Sequence, residues 1–140
     1  MNLVKKTKGF TLIELLVVIT IIAILAGVVM SAVTRVRDKG VDAAVKSTLN
    51  NTRSQAQIHY SDNGNTYTTL CTAGTSNIAA LLAGATIISP SVRCADSPDA
   101  WAAEAQLKTS TSFYCVDSTG AAVMATSTSI ADGSDYVCGP

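Results

Sequence analysis

Lys5-Lys6-Thr7-Lys8-Gly9-Phe10-Thr11-Leu12-Ile13-Glu14, followed by Leu15-Leu16-Val17-Val18-Ile19-Thr20-Ile21-Ile22-Ala23-Ile24-Leu25-Ala26, is the stretch whose reading decides the fold. It joins a short basic leader, a small residue before an aromatic one, and a nearly unbroken apolar run. No charge occurs from Leu15 to Met30, and the apolar character continues to Val33. Counted from Phe10, that is enough helix to cross a hydrocarbon core, which needs about 20 residues. One carboxylate, Glu14, stands at the near end. Insertion scales put an ionised side chain at about 2.5–3.5 kcal/mol at a helix centre and less near the interface, so a carboxylate kept there points to function. A secretory signal peptide has a shorter apolar region of about 7–15 residues and an A-x-A-like site. This run is longer, contains Glu14, and has no clean site after Ala26. An uncleaved membrane anchor is the other plain reading. Lys5, Lys6 and Lys8 favour a cytoplasmic leader with the C-terminal part outside; Arg35, Arg37 and Lys39 oppose that, tempered by Asp38.

Outward from this segment, 140 residues leave room for one small domain. Formal net charge is zero, but removing a leader of residues 1–9 takes away three lysines and leaves seven basic against ten acidic side chains. A mildly acidic chain argues against direct nucleic-acid binding, which calls for a basic patch or stripe. A core of fewer than about 80 residues is marginal and usually needs staples. Cys71, Cys94, Cys115 and Cys138 are the candidates, all beyond the apolar run. With one histidine and no C-x-x-C pair, zinc-type ligand spacing is absent, and no metal or cofactor is expected. Two disulfides are the favoured reading in an oxidising compartment. Four cysteines allow three connectivities; Cys71–Cys94 with Cys115–Cys138 is preferred, because each closes a moderate loop and the second ties down the C-terminus.

The helical pattern continues past Val33 to Tyr60 without a proline. Val41, Val45, Leu49, Thr52, Ala56 and Tyr60 recur at spacings of three or four and form one buried stripe. Asp42 and Lys46, four apart on another face, form a weakly stabilising pair. Gly40 is a local weakness, and Asp62-Asn63-Gly64-Asn65 is a strong stop. A helix over 10–61 would be roughly 75–80 Å long at 1.5 Å per residue. Beyond it, Asn77 to Leu82 reads as a short helix with Ser76 as N-cap and Gly84 as stop. Pro90 and Pro98 bracket an irregular stretch carrying Cys94. Trp101, Ala103, Ala105 and Leu107 alternate with Ala102, Glu104, Gln106 and Lys108, the pattern of a half-buried antiparallel strand. Residues 112–117 form a second strand, Ser118-Thr119-Gly120 a turn, and 121–125 a third strand. Tyr136-Val137-Cys138 is expected to pair briefly. The expected fold is α+β: a long N-terminal helical stem packed on a small antiparallel sheet with two disulfides. Its parts are a leader (1–9), a transmembrane or filament-core helix (10–33), an amphipathic continuation (34–62) and a stapled head (63–140).

The basic leader, the Gly9-Phe10 junction, Glu14 and the apolar run together resemble the N-terminus of type IV prepilins and the related pseudopilins. The long helix, the Asp-Asn-Gly break and the short meander with a late cysteine are similar to a small pilin head. The resemblance implies cleavage between Gly9 and Phe10 by a membrane aspartic peptidase, followed by N-methylation of Phe10. It implies that Glu14 neutralises the Phe10 ammonium of a neighbouring subunit during assembly. The partners it implies are copies of the same chain, the prepilin peptidase and N-methyltransferase, inner-membrane assembly machinery and, before assembly, membrane lipid. The location would be the bacterial inner membrane, then an extracellular pilus or a periplasmic pseudopilus. Major pilins often carry a glycine and a proline in the membrane helix; this chain offers Gly27 and no proline.

Enzymatic readings find little support. His59 has no cysteine at a catalytic spacing and reads as a helix histidine, solvated or packed. Asp117 and the Asp132-Gly133-Ser134-Asp135 run match no dense oxygen-ligand loop and read as turn-forming aspartates rather than a calcium site. Trp101 reads as core. The expected function is a non-enzymatic structural subunit of a filament for adhesion, motility or DNA uptake; the alternative is a pseudopilin of a type II secretion system.

Overall fold

The computed structural model describes residues 9–72, 74, 77–130 and 135–139. It divides into two units, Met1–Val36 and Arg37–Pro140. Helix α1 (Leu12–Asp62) supplies the described helix of the first and the opening helix of the second.

In the first unit every described residue from Gly9 to Val36 is exposed. The stretch is apolar on all sides, and by length and composition it is sufficient to cross a membrane. Its hydroxyl groups turn inward on the helix itself: Thr20 Oγ1 donates to Val17 O at 2.8 Å and Ser31 Oγ to Val28 O at 3.0 Å. Such back-bonding satisfies the donor locally, which suits an environment without water.

The second unit is built on the predicted stripe. Val45, Leu49, Thr52 and Ala56 are buried along α1, with Val41 and Tyr60 partly buried beside them. The helix ends where the sequence demands it: Gly64 and Asn65 both take positive φ (71° and 63°), which reverses the chain after Asp62. Helix α2 (Asn77–Ile88) follows, then strands β1 (Val92–Asp96), β2 (Trp101–Gln106), β3 (Phe113–Asp117) and β4 (Ala122–Ala125). All neighbours are antiparallel, in the order β1-β2-β3-β4. The core joins Val45, Leu49 and Ala56 of α1, Ile78 and Leu82 of α2, and Trp101, Ala103 and Ala105 of β2. The architecture is α+β, with disulfides Cys71–Cys94 and Cys115–Cys138.

Several local expectations are corrected. Gly84 does not stop α2, which runs to Ile88; Ala85 beyond it is buried, and that packing outweighs glycine's poor helix propensity of about 1 kcal/mol. Ser76 lies outside the described residues. The stretch around Cys94 is strand β1, not irregular, because Pro90 and Pro98 fall outside its bounds and remove no ladder donor. Ser97-Pro98-Asp99-Ala100 makes the β1–β2 turn, with Ser97 N–H donating to Ala100 O at 2.8 Å. The sheet therefore has four strands where three were expected. Strand β2 is buried on both faces, since Ile130 and Tyr136 pack on the side of Ala95 and Ala102 that was expected to be open. Tyr136, Val137 and Cys138 form no strand; Cys138 is held by its disulfide and by its N–H, which donates to Asp117 Oδ2 at 2.8 Å.

Candidate functional site

The start of α1 is a capping box. Thr11 stands just before the first helical residue, Leu12, and Glu14 three positions on. Glu14 N–H donates to Thr11 Oγ1 at 3.3 Å, while Thr11 N–H donates to Glu14 Oε2 at 2.9 Å. The Thr11 hydroxyl also donates to Glu14 Oε2, at 2.7 Å. This reciprocal arrangement satisfies donors that a helix N-terminus leaves without intrahelical partners. Gly9 and Phe10 precede it outside the helix and are exposed, Phe10 by 78%. A Cβ placed on Gly9 would meet nothing within 4 Å. The junction and the carboxylate singled out in the sequence thus lie at one helix end, four residues apart. Thr-x-x-Glu before an apolar run is the local signature that marks Thr11 as part of this cap.

Among its described residues the second unit holds three buried carboxylates, each fastening a segment distant in sequence. Asp42, 7% exposed, feels the weak attraction of Lys46 expected from their spacing, but its hydrogen-bond partners lie elsewhere. Its oxygens accept the N–H groups of Lys108 (2.6 Å) and Thr109 (3.2 Å) and the Thr109 hydroxyl, so it closes the β2–β3 loop. Lys46 also lies 5.7 Å over the Tyr114 ring. Glu104, with no exposed surface, accepts the Ser129 N–H at 2.8 Å, the Ile130 N–H at 3.4 Å and the Thr128 hydroxyl, with Arg93 3.7 Å away. Asp117 takes Thr119 N–H, Thr119 Oγ1–H and Ala121 N–H on Oδ1 and Cys138 N–H on Oδ2. Burial pushes the Asp42 and Asp117 carboxyls up. For Asp42 the hydrogen bonds from Thr109 and Lys108, with Lys46 near, outweigh it; for Asp117 those from Thr119, Cys138 and Ala121 do. Both end below the ordinary carboxylate value. With Oδ1 engaged in its own turn and Oδ2 in holding Cys138, Asp117 is a structural aspartate. Asp132, Gly133 and Ser134 lie outside the described residues.

His59 is buried and packed. Its Nε2 faces Thr68 O and its Nδ1 faces Asn63 Nδ2, each at 3.2 Å, while the same Asn63 nitrogen donates to His59 O at 2.8 Å. A carbonyl only accepts, so Nε2 carries the hydrogen and Nδ1 accepts. Both ring nitrogens are occupied by structure. Trp101 is 2% exposed and belongs to the core. A groove of about 470 Å³ lined by Asn51, Ser54, Gln55, Ala80 and Leu81 contains no titratable group.

A family model for the prokaryotic N-terminal methylation motif matches residues 4–30. The chain is also similar to the type IV wide pilus major component PilA4 of Thermus thermophilus, 42% identical over 78 residues, which is 56% of this chain and 53% of that protein. It thus spans about half the length of the curated relative it matches. No solved structure matches it. The methylation motif thus lies across the capped apolar start of α1, in a chain that is similar to a type IV pilus subunit over about half its length.

Proposed function

We propose that this protein is a non-enzymatic structural subunit of a type IV pilus-like filament. Residues 1–9 are removed between Gly9 and Phe10 by the prepilin peptidase, and Phe10 is N-methylated. Residues 10–33 then reside in the inner membrane, with 34–62 and the head 63–140 outside, until assembly machinery transfers the subunit into a filament of identical copies. Glu14 receives the Phe10 ammonium of a neighbour.

One observation carries the reading: the methylation motif falls on a helix whose described side chains through Val36 are all exposed. Such a surface is unfavourable in water by about 25 cal/mol per Å² of apolar area, so it needs lipid or other apolar stems around it. Lipid before assembly and neighbouring copies after it both meet that need. The similarity to a major pilus component favours a pilus over a secretion pseudopilus.

The test is expression in cells lacking any related subunit, shearing, and identification of the released fibres by mass. Gly9→Val is expected to leave a membrane-bound precursor and no fibres. Glu14→Ala is expected to give processed, membrane-embedded monomer with few or no fibres, since removing one member of a buried ion pair costs several kcal/mol. Fibres whose subunits begin at Met1, or normal yield from Glu14→Ala, would overturn the processing and pairing claims respectively.

A further inference from the structure

Glu14 has two oxygens in unequal circumstances. Oε2 receives both donors of Thr11, the N–H at 2.9 Å and the hydroxyl at 2.7 Å, while Oε1 has no hydrogen-bond partner among the described residues. The side chain is therefore held by its own helix cap with one acceptor spoken for and the other open. We infer that Thr11 is a positioning residue for assembly: it locks the Glu14 carboxylate through Oε2 so that Oε1 is presented to the incoming ammonium of a second copy. The inference rests on the proposed pairing of Glu14 with a neighbour's Phe10 and names the residue that orients it.

The physical case is one of order. An unrestrained glutamate side chain loses up to about 2 kcal/mol of rotamer freedom when it is fixed in a contact. A carboxylate already fixed by a cap has lost that freedom before the partner arrives, which favours association without adding any contact. The two roles are compatible, because an ionised carboxylate offers about four lone-pair sites and the cap engages one oxygen only. Cap and intersubunit pair then form together instead of competing. The cap also separates two properties of Glu14 that an alanine replacement removes at once. Glutamine at N3 still completes a capping box, whereas it cannot neutralise an ammonium.

Full-length Thr11→Val, Thr11→Ser, Glu14→Gln and wild type are compared in the same cells and in lipid bilayers. Thr11→Val is expected to be processed normally yet to yield fibres about five-fold fewer, the effect of losing one N-cap side chain. Thr11→Ser, an equally good cap, restores the yield. Glu14→Gln, cap retained and charge lost, gives few or no fibres. The ¹³C resonance of the Glu14 carboxyl carbon in bilayers shifts in Thr11→Val and returns in Thr11→Ser. The inference is overturned by wild-type yield from Thr11→Val, by failure of Thr11→Ser to rescue, by a block in leader removal in Thr11→Val, or by an unmoved Glu14 resonance. The resonance is read without fibres, so absence of fibres from wild type would defeat the filament reading while still leaving Thr11's hold on Glu14 measured.

Discussion

The chain has two glutamates, Glu14 and Glu104, and they sit in opposite surroundings. Glu14 is exposed, and its partner Thr11 is three residues away. Glu104 has no exposed surface, and its partners Thr128, Ser129 and Ile130 lie 24 to 26 residues away. The same contrast separates the two units. Up to Val36 no described side chain is buried and every hydroxyl bond is local; from Arg37 on, carboxylates buried in the core tie loops together. One region is organised by the helix alone and leaves its surface for something else to cover. The other has covered its own.

If that contrast is right, cross-links should matter only to the second unit. Each disulfide joins cysteines 23 apart, and for a loop of that size the entropy argument assigns roughly 3 kcal/mol. Reduction of a fragment beginning at Thr34 is expected to lower its thermal midpoint more than any single substitution below, measured by circular dichroism. An unchanged midpoint would mean that the apolar core suffices without staples. Glu104→Ala is expected to be next, because it strands the Ser129 and Ile130 N–H groups in a buried site, at about 1–3 kcal/mol for each unsatisfied group. The decisive reading is amide exchange: protection should be lost at 129 and 130 well before the β2–β3 ladder. Uniform loss would show that Glu104 supports the whole sheet.

Acid should reach the same unit through Asp42 and Asp117. Both carboxyls lie below their ordinary value in the folded state, so the folded state binds their protons less readily than the unfolded chain. Their contribution is present in full above the unfolded value of about 3.9 and is lost as pH falls below it and through the depressed folded values. A urea midpoint that is flat above about pH 5 and declines below pH 4 is expected, with a shallower decline in Asp117→Asn. The smallest effect belongs to the first unit. Ile22, 58% exposed, has no core to leave. Ile22→Ala, a change that costs about 2–5 kcal/mol in a packed core, is expected to leave the unfolding midpoint of the second unit unmoved. A measurable drop would refute the separation between the two regions.

Legibility in the sequence follows the range of the interactions. The apolar run, the stripe from Val41 to Tyr60 and the stop at Asp62-Asn63-Gly64-Asn65 are local patterns, and each is seen in the structure. The capping box at Thr11 and Glu14 was equally local, and reading Glu14 only as an intersubunit group hid its own helix's claim on it. Helix spacing offers Asp42 only the weak attraction of Lys46, while its hydrogen-bond partners lie 66 and 67 residues on, in the β2–β3 loop. Glu104 alternates with alanines as a solvent-facing strand residue would. Nothing near it announces that the C-terminal segment returns to cover it.

By itself the sequence determined the elements that depend on neighbours along the chain: which face of α1 is apolar beyond Val33, where it ends, and where the β2–β3 and β3–β4 hairpins turn. Backbone geometry and side-chain periodicity act over a few residues, so they are written locally. The tertiary structure decided the rest: α2 passing through Gly84 to bury Ala85, β1 joining the sheet between two prolines, the choice among three cysteine pairings, and the burial of Asp42, Glu104 and Asp117. A buried carboxylate is tolerable only where several donors converge on it. Those donors arrive from segments 21 to 67 residues away for all three, joined at Asp117 by its own turn, and only the folded chain brings them together.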